Sequence, residues 1–309
     1  MKKNSSIYVA GHKGLVGSAI VKKLKLQGYK NVITRTHKEL DLVDKKKAES
    51  FFAKEKPEFV FLAAAKVGGI YANNTYPAEF IYQNLMIQTN VIDLSYKYGV
   101  KKLLFLASSC IYPKTCKQPI KEEYLLTGPI ELTNEAFAVA KLAGIKMCQA
   151  YNRQYGTNFI SVIAANVYGV NDRFDENAHV ISSLIRNFHE AKIKSREDVT
   201  IWGSGKPKRD FLYVDDLADA CLFLIRNYNS SEIINVGTGI ETSIKELAEL
   251  VRQITGFKGK TIYDAAKPDG NLRKFLDSSK IKALGWKPNV VLNKGLRLTY
   301  DWYKELGNL

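Results

Sequence analysis

An α/β fold, a doubly wound parallel sheet with a smaller C-terminal α/β substrate lobe, is predicted by three features of the sequence. The first half alternates short apolar runs with helical patterns, the signature of strands joined by helical crossovers. Phe59–Ala63 and Leu103–Ala107 are apolar throughout, as expected of strands covered on both faces. The third feature is Gly11-His12-Lys13-Gly14-Leu15-Val16-Gly17, which follows the first apolar run and opens a helix. That context makes the expected sheet Rossmann-type.

Taken in order, Ile7–Ala10 reads as the first strand, Leu15–Gln27 as a helix and Val32–Arg35 as the second strand. Phe59–Ala63 follows, then a long helix over Pro77–Tyr98 with proline in its first turn, where its missing N–H does no harm. Leu103–Ala107 is the next strand, Phe137–Tyr155 a helix and Asn158–Ala164 a strand. Later helices are expected over Val214–Asn227, Ser243–Thr255 and Leu292–Glu305. No repeat, low-complexity tract or linker interrupts the chain. Residues 1–170 are therefore expected to form the dinucleotide-binding domain, and 171–309 a mainly substrate-binding lobe interwoven with it.

The chain has 309 residues, 46% hydrophobic and 25% charged, the composition of a soluble globular protein. No apolar run approaches the roughly 20 residues of a membrane span, and the run after Met1 is too short for a signal peptide core. Cys110, Cys116, Cys148 and Cys221 form no C-x-x-C pair and no metal-ligand grouping with the four histidines. No metal is expected, and a reducing cytoplasm is the simplest location. The net charge of +15 raises nucleic acid as a partner. Its lysines are scattered, however, and no arginine-aromatic run accompanies them, so neither nucleic acid nor membrane is expected. A pyrophosphate-bearing small molecule would gain from the same field.

The glycine turn suits a dinucleotide: the glycines permit a tight turn, and the helix N-terminus faces the pyrophosphate. An NAD site would end the second strand in an acid to accept the ribose hydroxyls. Here it ends Thr34-Arg35-Thr36-His37-Lys38, with no acid competing for the position. Arg35, helped by His12 or Lys13, is suited to a 2′-phosphate, so NADP(H) is the expected cofactor.

Ser108-Ser109-Cys110 and the helix containing Phe137-Ala138-Val139-Ala140-Lys141 look like the Ser/Tyr-x-x-x-Lys site of an extended short-chain dehydrogenase/reductase, with phenylalanine in the tyrosine's place. The wider set of motifs resembles the GDP-L-fucose synthase family. They include Ala64-Ala65-Lys66-Val67-Gly68-Gly69-Ile70, Ser108-Ser109-Cys110-Ile111-Tyr112-Pro113 and His179-Val180-Ile181. Trp202-Gly203-Ser204-Gly205, Arg209-Asp210-Phe211-Leu212, Asn235-Val236-Gly237-Thr238-Gly239 and Lys267-Pro268-Asp269-Gly270 belong to the same set. The pairing of Cys110 with His179 is the specific part.

That resemblance implies epimerisation at C3 and C5 of a GDP-4-keto-6-deoxy sugar, then NADPH reduction at C4. The 4-keto group acidifies the C3 and C5 protons; Cys110 would act as base and His179 as acid, both able to titrate near neutral pH. Ser108 would hydrogen-bond the C4 oxygen, and Lys141 would hold the nicotinamide ribose and lower the pKa of a tyrosine four residues earlier. Ala63, Ala64, Ala65, Val167 and His179 would line the cofactor. Ser109, Arg186, Trp202, Arg209, Asp269 and Lys274 would contact the substrate. Family members pair through two long helices, here Pro77–Tyr98 and Phe137–Tyr155, so a homodimer is implied. Related C4-reductases acting on GDP-4-keto-6-deoxyheptoses in capsule pathways offer a second reading, and a non-catalytic nucleotide-binding homologue a third.

Phe137 keeps the ring and volume of tyrosine and removes only the donor. Three explanations stand: a deliberate Tyr→Phe variant, favoured by the intact surrounding motif; another donor, such as Tyr112 or a water relayed through Ser108; or a homologue that kept epimerisation and lost reduction.

Overall fold

A computed structural model describes residues 1–175, 178–267 and 269–306, with only the backbone of Ile70 and Tyr71. Pro268, part of one family-like motif, lies outside the described residues.

The strands are β1 (Ile7–Ala10), β2 (Val32–Ile33), β3 (Phe59–Leu62), β4 (Lys102–Ser108), β5 (Phe159–Ala164), β6 (Asn166–Tyr168), β7 (Asp198–Trp202), β8 (Lys208–Arg209), β9 (Phe211–Tyr213), β10 (Ile234–Val236), β11 (Thr242–Ser243), β12 (Lys260–Asp264) and β13 (Arg273–Lys274). The α-helices are α1 (Leu15–Leu26), α2 (Lys45–Glu55), α3 (Ile70–Thr75), α4 (Pro77–Lys97), α5 (Glu135–Tyr155), α6 (Val180–Ile193), α7 (Val214–Asn227), α8 (Ile244–Thr255), α9 (Ser279–Ala283) and α10 (Leu292–Leu306).

Six strands form a parallel sheet in the order β2-β1-β3-β4-β5-β10. β1, β3 and β5 are buried along their whole length. Helices explain this: α1 packs on α7, while α2, α4 and α5 pack side by side, which right-handed crossovers place on opposite faces. The chain starts in the middle of the sheet, runs outward to β2, then returns to β3 on the other side of β1. This reversal opens a crevice beyond the C-terminal ends of β1 and β3, the place where open α/β sheets bind ligands.

The expected elements are present with small shifts in their ends. The second strand is the main correction: it stops at Ile33 rather than Arg35. Beyond it, Thr36 is drawn into a turn by Glu39, whose carboxylate accepts from the Thr36 amide at 2.7 Å and its hydroxyl at 2.8 Å. Ser243 caps α8 in a reciprocal capping box with Glu246, and Pro77 stands in the first turn of α4.

A second core joins Tyr168, Ile185, Phe188, Phe211, Tyr213, Leu247, Val251 and Leu296. The main core takes in residues of α7 and β10 as well as those of β1 to β5, so the chain returns to its first sheet after entering the later lobe. Asp210 ties that return: fully buried, it accepts from the Thr238 amide at 3.1 Å and the Gly239 amide at 3.2 Å. No helix among the described residues is long and apolar enough to cross a membrane.

Candidate active site

The glycine turn sits in the crevice. Gly11 has φ +83°, and a Cβ there would lie 2.8 Å from the Ala64 backbone. At Gly17 a Cβ would lie 2.1 Å from the Gly11 carbonyl oxygen. Only hydrogen at these two positions lets the turn nest against α1 and against the chain leaving β3 at Ala63, Ala64 and Ala65. Gly14 caps α1 in extended conformation with no side-chain cap, and the first turn carries no acid. The orphan amides of α1, with His12, Lys13, Leu15 and Val16 around them, form a cradle that fits a dinucleotide pyrophosphate.

Arg35 stands at this end but is not idle. Its Nη2 is 2.6 Å from Glu55 Oε1, its Nη1 donates to the Thr34 carbonyl at 2.8 Å, and its guanidinium lies 5.5 Å from the Phe51 ring centre. The sequence reading expects no acid to compete for this corner. Two acids are there nonetheless, Glu55 from the end of α2 and Glu39, which is held below the usual carboxylate range first by its Thr36 hydrogen bonds and also by Arg35 and His12. Glu39, four residues after Arg35, was within reach of local reading, whereas Glu55, 20 residues away, was not.

The reaction residues gather where β4 ends and α5 begins. Ser108 is the last residue of β4, and Ser109, Cys110 and Ile111 form one buried 3₁₀ turn. Phe137 and Lys141 share a face of α5, one turn apart. Lys141 is 4% exposed. Its Nζ donates to the Leu106 carbonyl at 3.0 Å and lies 4.7 Å from the Phe105 ring centre and 5.8 Å from that of Phe137. Gly144 makes this closeness possible, since a Cβ there would meet the Phe105 ring at 2.4 Å. Burial without a carboxylate partner pushes the Lys141 ammonium down to about 8. Burial likewise pushes the Cys110 thiol up, opposed by Lys274, the Ser108 hydroxyl and Lys141.

Tyr112 is removed as a donor. Its hydroxyl is buried and donates to Asn235 Oδ1 at 2.7 Å, while the Asn235 amide group donates to the Ile120 carbonyl at 2.9 Å. This ties the chain after Cys110 to β10, and holds the phenol on β10 rather than free to protonate a substrate.

His179 is exposed at the N-cap of α6, with no side-chain cap bond. Nearby, the Asp172 carboxyl is raised chiefly by burial and accepts from the Ser182 hydroxyl at 2.6 Å. No hydrogen bond joins His179 to Cys110. Val167 is half-buried on β6. Arg186 donates to the Phe174 carbonyl at 2.9 Å, which bolts the loop before α6 to that helix. Trp202 is 75% exposed, with the Lys267 ammonium 5.5 Å from its ring centre. Asp269 clasps the adjoining turn, accepting from the Ser204 amide at 2.8 Å and its hydroxyl at 2.6 Å. Arg209 donates to the carbonyls of Lys208 at 2.8 Å and Asn271 at 2.6 Å. The parallel register of β8 and β13 sets Lys274 directly beside Arg209.

The structure therefore brings Ser108, Cys110, Phe137, Lys141 and Lys274 to one place, with Arg209 next to Lys274. It puts His179, Trp202 and Asp269 on separate elements of the later lobe. Sequence reasoning missed the roles of Asp172, Asn235 and Asp210, whose partners lie 10, 123 and 28 residues away.

Residues 7–237 match the NAD dependent epimerase/dehydratase family. The chain is 59% identical over 302 residues to GDP-L-fucose synthase 1 of Arabidopsis thaliana, covering 97% of this chain and 94% of that protein. A GDP-6-OMe-4-keto-L-xylo-heptose reductase from C. jejuni superposes with a TM-score of 0.95 at 40% identity, covering 99% of each chain. MlghC, a GDP-mannoheptose C4 reductase from Campylobacter jejuni with NADP bound, superposes with a TM-score of 0.92 at 42% identity, covering 98% of this chain and 99% of the other.

Proposed function

Since the chain belongs to the NAD dependent epimerase/dehydratase family and, within it, to the GDP-L-fucose synthase family, we propose that it binds NADP(H) and takes a GDP-4-keto-6-deoxy sugar at a site of the C3/C5 epimerase and C4-reductase type. The observation that carries this reading is the convergence of Ser108, Cys110 and Lys141 at the mouth of the crevice that holds the glycine cradle.

The chemistry follows from the residue types. With the sugar's C4 carbonyl polarised by the Ser108 hydroxyl, the C3 and C5 protons become acidic. Cys110 as thiolate removes a proton from carbon, and His179 returns one on the opposite face, inverting the centre. The bound NADPH would supply the hydride that reduces C4. Gly11, Gly14 and Gly17 would seat its pyrophosphate, Arg35 its 2′-phosphate, and Lys141 its nicotinamide ribose. Protonation of the C4 oxygen is the step that Phe137 cannot perform, so residue 137 stands as a Tyr-to-Phe catalytic variant. The chain as written is an epimerase site with its reductase donor missing.

Ser109, Arg186, Trp202, Arg209, Asp269 and Lys274 serve the GDP-sugar, mainly from residues 171–309, while residues 1–170 serve the cofactor. A homodimer through α4 and α5 is supported by Tyr82, Tyr96, Val139 and Tyr155, which are exposed on those helices. The protein works in the cytoplasm on a nucleotide-sugar route to capsule polysaccharide.

The second reading, C4 reduction of a GDP-4-keto-6-deoxyheptose with little epimerisation, is favoured by the closeness of the two heptose reductases in structure. A non-catalytic homologue is disfavoured because a nucleotide sensor has no use for Cys110, His179 and Lys141 together. The test is solvent exchange. Offered GDP-4-keto-hexose and GDP-4-keto-heptose in deuterated water, the protein should incorporate deuterium at C3 or C5 without net reduction, and Cys110→Ser should suppress it strongly. Undiminished exchange in that variant would return Cys110 to a packing role. Exchange of neither sugar by the parent would remove the epimerase reading.

A further inference from the structure

Every strand of a parallel sheet starts at the same pole, which here is the one opposite the crevice. Lysines scattered along the sequence are gathered there. Lys2 and Lys3 precede β1, Lys30 precedes β2, Lys56 precedes β3 and Lys101 precedes β4. These strands are neighbours in the order β2-β1-β3-β4, so the lysines form a row about 14 Å across at the usual strand spacing. Backbone hydrogen bonds hold the entries side by side. The Lys30 amide donates to the Lys3 carbonyl, the Glu58 amide to the Ser6 carbonyl and the Lys101 amide to the Glu58 carbonyl, each at 2.9 Å.

All five lysines are exposed. The acids of this pole are already engaged: Glu58 pairs with Lys101, Glu55 with Arg35 and Glu232 with Lys280. Lys2, Lys3, Lys30 and Lys56 have no carboxylate in ion-pair contact among the described residues. Lys56 also stands in the left-handed region, with φ 42°, where the turns before β2, β4 and β5 have Gly28, Gly99 and Gly156. Glycine would relieve that backbone. The lysine side chain, being exposed, adds no packing in return; what it adds is charge. One apolar side chain joins the row: Leu26, the last residue of α1, is 74% exposed. Its neighbour Gln27 takes the Lys3 ammonium on its carbonyl and the Arg226 guanidinium on its side chain.

We propose that this pole docks on an anionic lipid surface, with Lys2, Lys3, Lys30 and Lys56 against the headgroups and Leu26 at the acyl boundary. Lysines are compact point charges that suit a diffuse negative surface, and an exposed leucine among them adds an apolar contact. A nucleic acid would call for guanidinium forks or open rings for base stacking. Arg226 is instead committed to Gln27 and lies over the Tyr29 ring, and Tyr29 is buried. Docking at this pole leaves the crevice, at the other ends of the same strands, open to solvent. The proposal is therefore independent of the reaction proposed above.

The test is co-sedimentation of the full chain with large vesicles, of phosphatidylcholine alone or with one-third phosphatidylglycerol. The protein should bind the anionic vesicles at low salt, lose most of that binding at high salt and ignore the neutral ones. A lysine near an anionic surface is worth about fivefold in partition, so the Lys2→Gln, Lys30→Gln, Lys56→Gly variant should bind about a hundredfold more weakly. Glycine at residue 56 keeps the left-handed turn. A control of equal net charge, Lys245→Gln, Lys258→Gln, Lys294→Gln on the later lobe, should bind like the parent. Leu26→Ser should weaken binding by about tenfold, as for loss of a partly buried leucine, and keep the same salt dependence. Failure of the parent to bind anionic vesicles would overturn the proposal, and binding of short duplex DNA in their place would reassign the pole to nucleic acid. Equal losses in the two triple variants would also overturn it, since net charge alone would then explain binding. Melting followed by circular dichroism checks that the variants fold, and Lys2→Gln alone, expected to lose about fivefold, keeps the test open if the triple variant does not.

Discussion

Adding one oxygen at residue 137 is the sharpest perturbation the structure offers. Phe137 is 9% exposed, and its ring centre lies 5.8 Å from the Lys141 ammonium one turn later. Phe137→Tyr keeps ring volume, rotamer and helix face, so folding and cofactor affinity should change little. What changes is the donor. Lys141 sits without a carboxylate partner, and burial lowers its ammonium to about 8, within reach of neutral pH. That cation favours a phenolate and so pulls down the pKa of a neighbouring phenol, fitting it to pass a proton near neutral pH. Losing one positioned donor to a developing oxyanion costs about a hundred- to a thousandfold in rate, or about 3 to 4 kcal/mol. Stopped-flow NADPH oxidation with a GDP-4-keto sugar should therefore accelerate by that factor in Phe137→Tyr, with KM nearly constant. The gain should disappear in the Phe137→Tyr, Lys141→Ala double variant. If Phe137→Tyr leaves turnover unchanged or lowers it, phenylalanine is native to the mechanism. Because Tyr112 is held by Asn235, the donor would then be water relayed through Ser108, or the sugar would not be reduced at all.

The Arg35 guanidinium should give a clear preference for NADPH over NADH by calorimetry, and Arg35→Ala should erase most of it; equal dissociation constants in the parent would refute the assignment. Glu55→Gln should strengthen NADPH binding, because it frees Arg35 from its present ion pair. Lys102 is a separate stability probe. It is 4% exposed, held by Asn229 Oδ1 at 2.9 Å, and lowered to about 8 by burial. A lysine whose folded pKa is depressed is more protonated in the unfolded chain between pH 8 and its ordinary value near 10.4, so the parent's stability gains from it as pH rises through that window. Lys102→Met should accordingly stabilise the protein most at pH 7, by up to about 3 kcal/mol, and progressively less toward pH 10. A Tm difference independent of pH would show that Lys102 is charged and satisfied in the fold.

Local chemistry made much of this protein legible from its residues. The runs Ile7–Ala10 and Phe59–Leu62 read as buried strands because a strand covered on both faces has no polar positions to show. Gly11 and Gly17 pointed to a phosphate cradle because only glycine tolerates the left-handed turn and the close packing found there. The i, i+4 spacing of Phe137 and Lys141 placed both on one helix face, and phenylalanine where the resembled motif has tyrosine was legible without coordinates. What the sequence could not give were pairings between residues far apart in the chain, since nothing local encodes them. Glu55 reaches Arg35 only when α2 packs beside β2. Tyr112 reads as a free donor until β10 arrives and Asn235 Oδ1 accepts its hydrogen bond. Lys274 looks like a loop lysine until the register of β13 on β8 puts it beside Arg209. Helix and strand patterns are set by neighbours a few residues apart, whereas the charge state of a thiol depends on whatever the fold brings near it.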